Sequence, residues 1–177
     1  DWNGTLVIRD SRTGEEVTRV TGHADTVRTL NFSADGRFLV SGSHDKKVKI
    51  WSFPDMKELH SVNQKNMVVT TAITPDGKML VCGISDNTVM IYRMNDGAHM
   101  GTISISGSKG YVTVAPDGRY DGNSDGVKTI NWIAGGEVVP LEGMDKSFHA
   151  KGLLSEIFGY KNATGSGDDK VDVSRQL

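Results

Sequence analysis

Hydrophobic residues in this chain come in short runs that alternate with polar ones, and turn residues break the runs every few positions. Val48 and Ile50 alternate with Lys47 and Lys49, and Val89 and Ile91 restore the same spacing further on. β-Branched residues with a period of two suit a pleated sheet with one buried face. The pattern predicts strands at Val27–Phe32 and Phe38–Gly42, around the turn Ser33-Ala34-Asp35-Gly36. It predicts Lys47–Trp51 after Ser43-His44-Asp45-Lys46, and Glu58–Val62 after Phe53-Pro54-Asp55-Met56. Met67–Ile73, Lys78–Gly83, Thr88–Tyr92 and Ala98–Ile105 form a second set of four. A third set opens with Gly110–Val114. A turn-rich loop over 120–126 then replaces its second strand, and Val127–Ile133 resumes. Helical spacing enters only after Pro140, with Leu141, Met144 and Phe148 on one face and Leu153, Leu154, Ile157 and Phe158 on a second. Gly159 reads as a helix C-cap, and 160–177 is polar, a linker or tail.

The sets repeat. Asp35-Gly36, Asp76-Gly77 and Asp117-Gly118 are 41 residues apart, and Phe32, Ile73 and Val114 keep that spacing. So do Asp45 and Asp86, and Trp51 and Tyr92. Asn3 and Ile8 fall 42 before Asp45 and Ile50, which makes residues 1–22 the last two strands of another unit. Four antiparallel strands at a fixed period form the signature of a propeller blade. The units run over 1–22 (partial), 23–62, 63–105 and 106–139 (modified), followed by a helical element at 140–159.

Composition narrows the function. Glycine is 21 of 177 residues, an excess that the blade turns absorb. A net charge of −2 gives no electrostatic case for nucleic acid, and no apolar run is long enough to span a membrane. One cysteine, Cys82, excludes an internal disulfide framework and reads as a small buried residue. His23, His44, His60, His99 and His149 show no metal-ligand spacing, and no glycine cluster has the spacing of a phosphate loop. No cofactor is expected.

One constellation carries more. Gly22-His23 opens a unit, Ser41-Gly42-Ser43-His44-Asp45 makes its tight turn, and Trp51-Ser52 closes its third strand. With Ala34-Asp35-Gly36, this resembles a WD40 repeat, with Ser52 departing from the Asp of the closing Trp-Asp pair. The resemblance implies a buried hydrogen-bonded tetrad of His23, Ser41, Asp45 and Trp51. Ser41, His23 and Asp45 also have the residue types of a hydrolase triad, but the blade accounts for their spacing and a triad does not. The second unit keeps Asp86 but carries Cys82 for Ser, Tyr92 for Trp and no Gly-His, so its tetrad is expected to be broken. Ala115-Pro116-Asp117-Gly118-Arg119-Tyr120-Asp121-Gly122, Trp132, Pro140-Leu141-Glu142, Phe148 and Gly152-Leu153-Leu154 resemble the element that ends propellers in bacterial multi-domain WD40 proteins, some joined to a caspase-like peptidase domain.

The expected fold is therefore all-β: a WD40-like β-propeller segment of about 3 to 3.5 four-stranded blades with a short C-terminal helical element. The expected function is a non-catalytic protein–protein interaction scaffold or sensor within a larger assembly. Its partner is another protein or the missing N-terminal half of the ring, since an incomplete array leaves faces and edges open. A chain that starts at Asp1, in the third strand of a blade, fits that expectation. The family's usual binding rim falls on His44, Lys46, Asn66, Asn87 and Lys109. Two other functions fit: a regulatory portion of a caspase-like protease, and a structural subunit that completes a ring or fibre with other chains. The expected location is cytoplasmic.

Overall fold

The computed structural model describes residues 2–128, 131–134, 137–140 and 148–160, with the backbone alone for 132–134 and 137–140. The first helical face (Leu141, Met144), most of the terminal element before Phe148 and the tail at 161–177 lie outside the described residues.

The chain opens with the hairpin β1 (Thr5–Arg9) and β2 (Glu16–Thr21). A four-stranded antiparallel sheet follows in sequence order: β3 (Val27–Phe32), β4 (Phe38–Ser43), β5 (Lys47–Ser52) and β6 (Glu58–Asn63). The next four strands, β7 (Val68–Ile73), β8 (Met79–Ile84), β9 (Thr88–Arg93) and β10 (His99–Ser106), form a second sheet in the same order. Each is one blade. Turns at the repeated Asp-Gly pairs hold Gly36, Gly77 and Gly118 at φ 69°, 70° and 89°, where a side chain is disfavoured. Asp35, Asp76 and Asp117 each accept the amide two residues on, which closes the turn.

The blades stack through period-two faces. Val40, Val48 and Ile50 of the first meet Val68, Leu80, Cys82, Ile84 and Tyr92 of the second in one buried cluster. Each such side chain contributes about 1.5–3 kcal/mol when fully buried. β7 packs against β3 and β4. Gly42 makes the approach possible, since a Cβ there would stand 2.6 Å from Val68 Cγ1 and 2.7 Å from Thr29 Cγ2. Asn31 Nδ2 donates to the Thr71 carbonyl at 2.7 Å, and the Thr29 and Thr71 hydroxyls meet at 3.0 Å, so the seam is polar as well as apolar.

The third unit departs from the expectation for 106–139. β11 (Gly110–Val114) and β12 (Tyr120–Gly122) start no new sheet; they pair onto β10 and extend the second blade to six strands. The cause is local. Gly107, at φ 58°, lets residues 107–109 fold the chain straight back onto β10, whereas 64–67 carry it from the outer strand β6 to the inner strand β7. The expected strand from Val127 also starts later, at β13 (Asn131–Ala134), which pairs with β14 (Glu137–Pro140). Before it, α1 (Ser124–Val127) is a single helical turn, because the Asn123 side chain caps it by accepting the Gly126 amide at 2.9 Å.

α2 (Leu153–Ile157) lies on the face of the second blade that points away from the first. Leu153 and Ile157 pack with Ile91 and Ala115, and Ile103 borders them. Gly159, at φ 74°, ends this helix by donating to the Glu156 carbonyl.

Candidate functional site

His23 sits in the link between β2 and β3, Ser41 on β4, Asp45 in the β4–β5 turn and Trp51 on β5. The sheet register brings the four together. Trp51 Nε1 donates to Ser41 Oγ at 2.8 Å. Ser41 Oγ stands 2.7 Å from His23 Nε2, and His23 Nδ1 stands 2.9 Å from Asp45 Oδ2. The Ala24 amide donates to the same Asp45 oxygen, and the Lys47 amide donates to the other. The side chains of His23 and Asp45 are 0% and 6% exposed. Gly22 is required beside them, because a Cβ there would overlap the Trp51 indole ring.

Burial pushes the His23 imidazole below its ordinary basicity, against the opposing pull of the Asp45 carboxylate. Burial acts on Asp45 in the direction of protonation, but the Ala24 amide, His23 and the Lys47 amide together hold it below its ordinary value. The result is a neutral imidazole and an ionised carboxylate. Proton donation then runs one way, from Trp51 to Ser41 to His23 to Asp45. Ser41 is 0% exposed, and its oxygen is shared between two neighbours. A hydrolase needs a reachable nucleophile beside an oxyanion site, and this hydroxyl is sealed. Lys49 lies 5.5 Å above the Trp51 ring and pairs with Glu58 at 2.6 Å, closing the outer side.

The second blade fills the same places differently. Tyr92 Oη donates to Gln64 Oε1 at 3.0 Å, and Gln64 stands 41 residues after His23. That spacing was the available signal for Gln64, which residue-type matching alone passes over. Cys82 takes no part in the bond, and burial pushes its thiol far up, so it is inert. Among the described residues Gln64 Nε2 is buried with no hydrogen-bond partner. Met90 and His99 replace Lys49 and Glu58, and a cavity of about 340 Å³ opens beside Gln64, Asp86, Met90 and Thr102. Asp86 turns outward, accepting from Asn66 at 3.0 Å and from the Thr88 hydroxyl at 2.5 Å. Among the described residues no group of three His, Cys, Asp or Glu side chains could hold a metal ion.

His44, Lys46, Asn66, Asn87 and Lys109 stand in four turns, and strand register puts all four turns at one end of the blades. They are not equivalent. The Asn66 side chain is tied to Asp86. Lys46 and Asn87, 41 residues apart, are both exposed at positive φ, 66° and 64°, and Lys109 is exposed on the β10–β11 turn. His44 is half-buried, with its amide donating to Thr26.

Comparison with known proteins accounts for this geometry. The family model "WD domain, G-beta repeat" matches residues 14–52 and 56–93. Those two stretches therefore match WD40 repeats, and the fold is that of a WD40-like β-propeller segment. The chain is 45% identical over 53 residues to the WD repeat-containing protein SL1-17 of Schistosoma mansoni, covering 30% of this chain and 17% of that protein. It is 40% identical over 53 residues to WD repeat-containing protein 18 of Rattus norvegicus, covering 30% and 12%. A third relative, eukaryotic translation initiation factor 3 subunit I of Culex quinquefasciatus, is 32% identical over 72 residues, covering 41% and 22%. The matched stretch spans less than a quarter of each relative's own length. The solved "Structure of U3-55K" shares the fold, with TM-score 0.55 and 18% identity over 67% of this chain and 42% of that one. The three named relatives are animal proteins and none is named as a peptidase. They lend nothing to the bacterial, caspase-like resemblance of 110–159.

Proposed function

We propose that the chain is a non-catalytic protein–protein interaction module, a scaffold or sensor of a larger assembly, which meets its partner on the rim of Lys46, Asn87 and Lys109, with His44 and Asn66 beside them. The observation that carries this reading is the contrast between two polar sets. The tetrad is buried, satisfied and closed to any substrate. The rim presents Lys46, Asn87 and Lys109, whose side chains make no hydrogen bond or ion pair among the described residues. Exposed loop residues on a rigid scaffold are where binding concentrates. WD40 repeats as a class serve such roles, which supports the same conclusion.

The test is a triple variant, Lys46→Gly, Asn87→Gly and Lys109→Ala. The two glycines suit the positive φ at their positions, so the variant removes side chains without adding strain. The native complex formed in source cells is compared by mass for parent and variant. Loss of the co-purifying protein with unchanged circular dichroism supports the reading. A parent chain that is folded, monomeric and partnerless overturns it, as does a variant that keeps its partner.

A further inference from the structure

The two blades carry different charge at one pair of repeat positions. In the first, Lys47 and Lys49 stand on the same face of β5 as Trp51. The Lys49 side chain is 12% exposed, and its ammonium pairs with Glu58 at 2.6 Å. Forty-one residues on, Thr88 and Met90 hold those places on β9, so both cations are gone. The cavity of about 340 Å³ lies at this point between the blades, with Asn63 and Lys65 of the first facing Thr88, Met90 and Ser104 of the second. Asp86 stands exposed at its mouth. The Thr88 hydroxyl and the Asn66 side chain hold its carboxyl below the ordinary carboxylate range, so it is ionised. Those partners are neutral, and among the described residues no cation pairs with Asp86. Strand register puts Ser104 directly opposite Thr88 and Thr102 opposite Met90. The Thr88 proton goes to Asp86, which leaves a Thr88 lone pair free. The Ser104 hydroxyl makes no hydrogen bond among the described residues. One wall thus joins a carboxylate to two hydroxyl oxygens, and Met90 and Ile84 set an aliphatic surface beside them.

We propose that this cavity takes a lysine side chain of a partner protein, which supplies from outside the cation that Lys49 supplies from within the first blade. The aliphatic stem lies along Met90 and Ile84, and the ammonium donates to Asp86, Thr88 and Ser104. An ammonium has three donors and no acceptor, which matches a wall of three acceptors. A guanidinium has five donors in a fixed fork, and the surplus would go unmatched here. Lys65 opposes the incoming charge, but it is exposed, and solvent and salt screen it. Asp86 directly precedes Asn87 of the rim. The proposal therefore rests on the interaction-module reading and names the chemistry of one partner side chain.

The test titrates the peptide acetyl-Gly-Gly-Lys-Gly-Gly-amide into the isotope-labelled full chain, read by amide chemical shifts in NMR. The expected result is saturable shifts at Thr88, Met90 and Ser104, and no binding of the same peptide with norleucine in place of lysine. Asp86→Asn weakens binding about tenfold, as for loss of a hydrogen bond to a charged group. Asp76→Asn, an exposed carboxylate in the turn at the other end of the blade, leaves binding unchanged. Met90→Lys restores the first blade's residue and abolishes binding. Ser104→Lys takes its place should Met90→Lys lose its circular dichroism spectrum. Absence of saturable shifts, shifts confined to other residues, equal binding of the norleucine or an arginine peptide, or indifference to Asp86→Asn overturns the proposal. The rim test reads the native partner and this titration reads lysine alone. A rim variant that loses its partner while the peptide fails to bind refutes this proposal and leaves the rim reading standing.

Discussion

Neutral His23 sets the direction of each proton in its network, and that direction predicts what single substitutions cost. Ser41→Ala leaves two buried groups stranded, the Trp51 indole N–H and His23 Nε2. Each stranded group costs about 1–3 kcal/mol. Urea unfolding should show that loss, and an unchanged midpoint would refute the assigned bonding. The network also gives a pH dependence. Burial lowers the His23 pKa in the folded state below its ordinary 6.5. As pH falls through 6.5 the unfolded chain takes up a proton that the folded chain resists, so stability declines. His99 is lowered by burial too and adds a decline of the same sign. Asp45 is held below its ordinary 3.8, so a second decline begins under that pH. Urea midpoints measured between pH 8 and pH 5 should fall, and less steeply in His23→Gln. At this scale the members of the tetrad were legible through the resemblance to a WD40 repeat that Gly22-His23, Ser41-Gly42-Ser43-His44-Asp45 and Trp51 carry. Sequence did not disclose the Tyr92–Gln64 bond, because a glutamine has no place in the family pattern and only its distance from His23 marks it.

Two kinds of contact attach the C-terminal element to the second blade, and their magnitudes differ. Arg119 pairs with Glu156 at 2.8 Å and with Asp117 at 2.8 Å, but these side chains are 38%, 53% and 53% exposed. Exposed pairs contribute about 0–1 kcal/mol. Leu153 is 0% exposed against Ile91, and truncating such a leucine costs about 2–5 kcal/mol. Apolar packing therefore holds α2, with the Ala150 and Gly152 amides fixing its approach on the Tyr120 carbonyl and Asp121. Leu153→Ala should release residues 148–160 to rapid hydrogen exchange, while Arg119→Ala leaves their protection nearly unchanged; the reverse order would refute the assignment. Element positions were legible where period-two spacing met a repeated turn, as in β3–β10. The joining of β11 to β10 was not, because strand spacing identifies a strand and not its neighbour. Gly107 and the short 107–109 turn were the local sign of a hairpin there. The turn at α1 was equally hidden, since one asparagine cap decides it.

Across the whole molecule, stability is a matter of neighbours. The buried cluster between the blades draws Val40, Val48 and Ile50 from one sheet and Val68, Leu80 and Cys82 from the other, so neither sheet keeps its apolar face covered alone. Repeat arrays owe their stability to such nearest-neighbour interfaces as much as to each unit. The two blades should therefore unfold together, although their tetrads differ. Amide exchange in β4–β5 can report on the first blade, and reaction of the buried Cys82 thiol on the second. In the parent both probes should give one urea midpoint. Gly42→Val tests the coupling, because its side chain would fall among Val68, Thr29 and Thr71 at the seam. Overpacking of that kind costs about 1–3 kcal/mol, and the strain lands on Val68 and Thr71 across the interface as well as on Thr29 of the same sheet. The midpoints of the two probes should then separate. A variant in which both midpoints fall equally would mean that the blades remain locked through contacts outside the seam.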